Sequence, residues 1–229
     1  MVQTDFWNLR GPESTAKLAE WVSEEMDLET VTCPINDGHQ RSGKRLTDLS
    51  IALPGGAVQD VVWTWYSECL IQDHVLNLFK ASGFTGYDVK PVKAKFKRAS
   101  EHQPPRLWEL IVTGWAGMAS AESGIRLIER CEGCGHTVYS GSNNPGAVID
   151  ASHWDGSDFF MVWPLPGFIL VTDRVAQVIR DNRLTGVVLK QLRDVDLSGG
   201  LLGTLGGGRL SYWMSEERAR ELGAALGID

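Results

Sequence analysis

The sequence has little of what several protein classes require. Its four cysteines are too few for the disulfide framework of a small secreted domain. Basic residues are the minority, with 22 Lys and Arg against 29 Asp and Glu, and a net charge of −7 argues against non-specific nucleic-acid binding. The longest apolar run, residues 159–171, is broken by Pro164 and Pro166 and is too short to span a bilayer. Residues 1–7 lack a basic-then-apolar leader, so we expect a cytoplasmic protein without a membrane segment.

The motifs of common enzymes are also missing. No histidine is followed two positions later by glutamate, as a zinc deaminase requires, and neither a nucleophile elbow nor a His-Glu-x-x-His pattern occurs. The glycine-rich stretch 199–208 lacks the Lys-Ser/Thr ending of a phosphate loop, so we expect a mobile loop there. Cys69 and His74 are close enough to suggest a nucleophile and its base, but a buried apolar position for Cys69 is favoured. We therefore predict that the chain is not an enzyme.

An internal repeat is the most informative feature that is present. Residues 62–92 align without a gap with residues 162–192. The aligned identities are Val62/Val162, Trp63/Trp163, Leu70/Leu170, Asp73/Asp173, Val75/Val175, Thr85/Thr185, Gly86/Gly186 and Lys90/Lys190. Apolar residues at helical spacing recur in both copies, at 75, 78 and 79 and at 175, 178 and 179, and each helix is followed by Thr-Gly. The repeat predicts a strand, a helix, a tight turn and a strand in each half.

A cysteine turn lies upstream of each copy. The second, residues 131–135, is an intact C-x-x-C-G turn, in which two thiolates can converge on one zinc ion. The first keeps Cys33 and has Asn36 where its second cysteine would be. We predict one metal site that bridges the halves through Cys33, Cys131 and Cys134. The fourth ligand would come from His39, His136 or Asp37, with His39 as our choice; in the alternative, the lost cysteine has abolished metal binding.

These patterns predict an α+β fold with mainly antiparallel sheets. The two related halves would cover residues 1–100 and 101–229, each opening with a cysteine turn, and would pack as one continuous unit joined by a linker at 99–105. Within this plan we expect helices at 14–28, at 73–82 and from 215. Strand 87–96 and the residue after it carry Lys93, Lys95 and Lys97 on one face, a pattern typical of a protected sheet edge or, alternatively, of a polyanion site. The nine tryptophans indicate sheet packing or, alternatively, a protein-binding surface.

Together these residues resemble a known family. The turn at 131–135, the Cys33-Pro34 remnant about a hundred residues earlier, and the segments 156–159, 167–173 and 184–186 are similar to the myxobacterial paralogous family with a double CXXCG motif. Members of that family are described as immunity proteins of swarming-inhibition toxin systems. The first motif is normally complete in the family, whereas Asn36, Asp37 and Gly38 replace its end here.

The resemblance implies a cytoplasmic immunity protein that binds and neutralises a cognate toxin. An acidic chain suits a basic, nuclease-like toxin as its partner, because opposite charges steer the encounter. Neither nucleic acid nor a membrane is expected as a partner. The alternative is a structural or regulatory zinc-ribbon protein without a toxin partner.

Overall fold

The computed structural model describes residues 5–98, 102–198, 201–203 and 208–228. Its strands are β1 Phe6–Arg10, β2 Glu20–Trp21, β3 Leu28–Val31, β4 Arg41–Arg45, β5 Ser50–Leu53, β6 Val61–Trp63, β7 Cys69–Gln72, β8 Tyr87–Phe96, β9 Leu107–Val112, β10 Gly114–Met118, β11 Leu127–Arg130, β12 Thr137–Ser140, β13 Phe159–Trp163, β14 Ile169–Thr172, β15 Val188–Gln191 and β16 Leu201–Gly203. Its α-helices are α1 Asp73–Ala81, α2 Asp173–Asp181 and α3 Glu216–Gly223. Sheets dominate and are mostly antiparallel, which confirms the predicted α+β class.

Two large sheets share one arrangement of four strands. The first sheet has the order β2-β5-β8-β9-β7-β6, and the second has the order β10-β13-β14-β1-β15. In the first sheet the antiparallel hairpin β6-β7 is followed by β9 and then by β8, the strand after helix α1. In the second sheet the antiparallel hairpin β13-β14 is followed by β1 and then by β15, the strand after helix α2. The smaller units are the sheet β11-β12-β16 and the hairpin β3-β4.

Each large sheet contains one strand from the opposite side of residue 100 in the chain. β1, from the start of the chain, lies between β14 and β15 of the second sheet, whereas β9, which follows residue 100, lies between β7 and β8 of the first. Their tryptophans occupy matching places: Trp108 Nε1 donates to Asp73 Oδ1 over 2.6 Å, and Trp7 Nε1 donates to Asp173 Oδ1 over 3.0 Å. The sheets therefore do not divide at residue 100.

The turns after α1 and α2 hold the two sheets together reciprocally. The backbone N–H and the hydroxyl of Thr85 donate to Asp158, and those of Thr185 donate to Asp60. Gly86 has a φ of +83°, and a Cβ there would lie 2.0 Å from the carbonyl oxygen of Phe159. At Gly186 a Cβ would lie 1.9 Å from the carbonyl oxygen of Val61. Both turns need glycine because the opposite half approaches so closely.

The helices fall where the alignment places them, but the hairpin before each helix does not follow it without a gap. α1 buries Val75 and Phe79, and α2 buries the aligned Val175 and Ile179. In the hairpins, however, Val61 pairs with Ile71 and Phe159 pairs with Val171. Val61 of β6 therefore occupies the place of Phe159 in β13, an offset of 98 residues. The gapless alignment, with its offset of 100, is out of register by two residues in these strands.

Two secondary-structure predictions are wrong. Residues 14–28 form two short 3₁₀ turns and strand β2 because Ala19 and Val22 donate backbone hydrogen bonds to Trp63 and Ser50 of the first sheet. β8 is an interior strand between β5 and β9, not a sheet edge. Its lysines lie on the solvent face, where Lys95 pairs with glutamates, as does Lys97 just after the strand. No helix in the described part of the chain is long and apolar enough to cross a membrane.

Candidate metal centre

Two hairpin connections bring the cysteines together. Cys33 lies between β3 and β4, and Cys131 and Cys134 lie between β11 and β12. The first connection is shaped by Asn36, whose side chain accepts from the N–H of Gly38 and whose own N–H points at Cys33 Sγ over 3.4 Å. The second is a tight turn in which the Gly135 N–H donates to the Cys131 carbonyl. The two connections lie against each other, since Cys33 of the first contacts Cys131 of the second.

Four side chains form one cluster across these connections. Cys33, His39, Cys131 and Cys134 each offer a donor atom, and these atoms all lie within 4.8 Å of one another. The Sγ atoms of Cys33 and Cys131 are 3.6 Å apart, and Cys134 Sγ lies 3.7 Å from His39 Nδ1. The three cysteines are buried. The predicted residues therefore lie close together and could bind a metal.

The spacing fits a tetrahedral ion. Zinc–sulfur bonds of about 2.3 Å and zinc–nitrogen bonds of about 2.0–2.1 Å separate two sulfur ligands by about 3.8 Å and a sulfur from a nitrogen by about 3.5 Å. The Cys33–Cys131 and Cys134–His39 distances of 3.6 and 3.7 Å are close to these two edges, and the other donor atoms of the cluster lie within 4.8 Å of one another. If all four side chains bound one ion, they would complete a tetrahedron and leave no position for a substrate, which is the pattern of structural metal sites.

Of the three candidates for the fourth ligand, the cluster contains His39. Its Nε2 lies 3.2 Å from Asn36 Nδ2 and within 4.0 Å of Glu129, contacts that orient the ring so that Nδ1 faces the cysteines. The ring of His136 packs 4.6 Å from that of His39, outside the ligand group. Burial, followed by the proximity of Arg41, lowers the pKa of His136. Asp37 is exposed and also lies outside the group.

Arg41, at the start of β4, supplies a positive charge beside the cluster. Its guanidinium donates to Cys134 Sγ over 3.3 Å, to the Cys134 carbonyl over 3.2 Å and to the His39 carbonyl over 2.7 Å. Burial opposes ionisation of Cys134, but the hydrogen bonds from Arg41 and from the backbone of His136 outweigh it and lower the pKa of the thiol to about 6. Arg41 therefore favours the thiolate that a metal needs. Sequence reasoning missed this residue because nothing in its spacing marks a contact with Cys134.

The other predicted features lie apart from this cluster. Cys69 is buried within β7, and its burial raises the pKa of the thiol. His74 is exposed on α1 and pairs with Asp60 over 2.9 Å. In the glycine-rich stretch, residues 201–203 form β16, whereas 199–200 and 204–207 lie outside the described residues.

No family model matches the chain, and no curated protein matches it.

Proposed function

We propose that this chain is an immunity protein that binds and neutralises a cognate bacterial toxin in the cytoplasm. The observation that supports the proposal best is the meeting of two cysteine turns, 98 residues apart in sequence, in one cluster. The sequence resembles a family defined by paired cysteine motifs. A cluster that takes cysteines from both motifs explains why such motifs would occur as a pair. The proposed role is non-enzymatic: the chain covers a functional surface of its partner.

Within this proposal, Cys33, His39, Cys131 and Cys134 hold one zinc ion. The role of the ion is structural, because it would cross-link the β3-β4 hairpin of the first half to the β11-β12 hairpin of the second. Three thiolates around a divalent ion leave a charge of −1, which the adjacent Arg41 offsets. Folding and metal binding would then be coupled, since the ligands converge only in the folded chain.

We further propose that the halves are copies of one ancestral unit that exchanged their first strands. Support comes from the matching four-strand arrangements, the paired contacts of Trp7 with Asp173 and of Trp108 with Asp73, and the reciprocal threonine–aspartate contacts. Each half is then incomplete without the other. Such interlocking gives a rigid scaffold for a binding surface.

Co-expression tests the proposed function. The product of the gene adjacent to this one is expressed in a susceptible host, with and without this chain, and the two purified proteins are assayed for a complex. We expect growth to be restored and a stable complex to form. If the chain folds and carries its metal but neither protects nor binds, the alternative role as a zinc-ribbon protein without a toxin partner is favoured.

A further inference from the structure

The turn that joins β6 to β7 exposes two large aromatic side chains. Trp65 is 55% exposed and Tyr66 is 61% exposed, at the edge of the first sheet. Large aromatic residues are usually buried when nothing binds them, and they are enriched among the anchors of protein interfaces. Two adjacent ones in a turn therefore need an explanation.

The corresponding turn of the second sheet shows what would normally cover such a position. There, between β13 and β14, Leu165 is 3% exposed and packs with Val148 and Leu192. Trp213 lies 3.5 Å from where a Cβ of Gly167 would be. Segments of the second half thus cover their own turn, whereas Trp65 and Tyr66 stay exposed in the structure. The comparison indicates a surface that is covered by another molecule.

The exposed turn is held in one conformation. The Thr64 hydroxyl oxygen accepts from the backbone N–H groups of Tyr66 and Glu68, and the Trp65 N–H donates to the Ala19 carbonyl. The ring of Tyr66 stacks on Trp21 with centroids 3.9 Å apart. Because these groups are already ordered, binding through them costs little conformational entropy.

The charges on the chain favour a positively charged partner. Beneath the stacked rings, Glu68 accepts from Trp21 Nε1 over 3.2 Å. Glu20, next to Trp21 in the chain, pairs with Lys97, and over the whole chain 29 acidic residues exceed 22 basic ones, a net charge of −7. Aromatic ring faces attract lysine and arginine side chains, and excess carboxylates strengthen that attraction while repelling phosphates.

We infer that the Thr64–Glu68 turn, with Trp65 and Tyr66 as its anchors, binds a protein with a lysine- and arginine-rich surface. This inference deepens the proposed function and rests on it, because the basic protein would be the toxin. About 250 Å² of aromatic surface is available on these two side chains, a fraction of the roughly 800 Å² that each partner buries in a standard interface. The turn is therefore the centre of a larger contact.

The test measures binding of the adjacent gene's product to the wild-type chain, to Trp65→Ala and to Tyr66→Ala by surface plasmon resonance. Each substitution is expected to weaken binding about 30-fold, mostly through faster dissociation. Ile128→Ala, at a 57% exposed apolar residue on β11, is the matched control and should change affinity less than twofold. Raising the salt concentration should slow association with the wild-type chain. An unchanged thermal midpoint shows that each variant is folded.

The possible results distinguish failure of the proposed binding surface from failure of the proposed immunity function. If the wild-type chain binds and Trp65→Ala and Tyr66→Ala bind equally well, the Thr64–Glu68 turn is not the binding surface, and the proposed immunity function is unaffected. Association that is independent of salt refutes the basic partner. Binding of a labelled single-stranded DNA 20-mer that depends on Trp65 would assign the surface to nucleic acid instead. If the wild-type chain neither protects nor binds, the proposed function fails and this inference falls with it.

Discussion

Substitution of Gly86 tests the close approach of the two halves. An alanine Cβ at this position would lie 2.0 Å from the carbonyl oxygen of Phe159 and 2.4 Å from the Cβ of Ser157. The backbone φ of +83° adds the cost of a left-handed alanine, about 1 kcal/mol. Relief of the overlap requires the sheets to separate, at about 1–3 kcal/mol. We expect Gly86→Ala to lower the free energy of unfolding by about 3 kcal/mol in total.

Gly83 is the matched control, because its φ is +64° and nothing lies within 4 Å of its Cβ position. Gly83→Ala should cost only the backbone term, about 1 kcal/mol. Calorimetry on both variants should show decreases of about 6–12 °C for Gly86→Ala and about 2–4 °C for Gly83→Ala. If both variants lower the unfolding temperature equally, the backbone conformation alone explains the need for glycine at position 86, and contact with the opposite half does not contribute.

Three further predictions concern the ion pair, the metal centre and the exchanged strands. Glu109 is buried and its carboxylate accepts from Arg45 Nη2 at 2.5 and 2.6 Å, so Glu109→Gln should cost about 3 kcal/mol in denaturant unfolding. Glu24→Gln, in an exposed 3.8 Å pair, should cost less than about 1 kcal/mol; similar losses would contradict the reasoning. Arg41→Gln should weaken zinc binding about 10–100-fold in chelator competition, and unchanged affinity would show that its contact with Cys134 is incidental. A chain cut within 99–105 should assemble only when both pieces are co-expressed, and cooperative unfolding of either piece alone would contradict the strand exchange.

The local patterns of the fold could be predicted from the sequence. The apolar spacing and the Thr-Gly pairs predicted α1, α2 and the turns that follow them, because these features depend on residues adjacent in sequence. The cysteine motifs likewise predicted that Cys33, Cys131 and Cys134 would lie together, and the structure places His39 beside them.

Features that depend on distant partners were missed. The spacing of Leu18, Trp21 and Val22 fits a helix, but backbone hydrogen bonds to the first sheet outweigh that local preference. Strand β1 gives no sign in its sequence that its neighbours are β14 and β15. Arg41 was missed for the same reason, since its contact with Cys134 spans 93 positions.

The zinc content of the purified chain tests the central claim most directly, because the proposed site needs ligands from both halves. Protein prepared without any chelator is analysed by inductively coupled plasma mass spectrometry against its measured concentration. We expect about one zinc per chain, as a single four-ligand site requires. Folded protein that contains no zinc would contradict the claim that Cys33, His39, Cys131 and Cys134 join the halves through a metal ion.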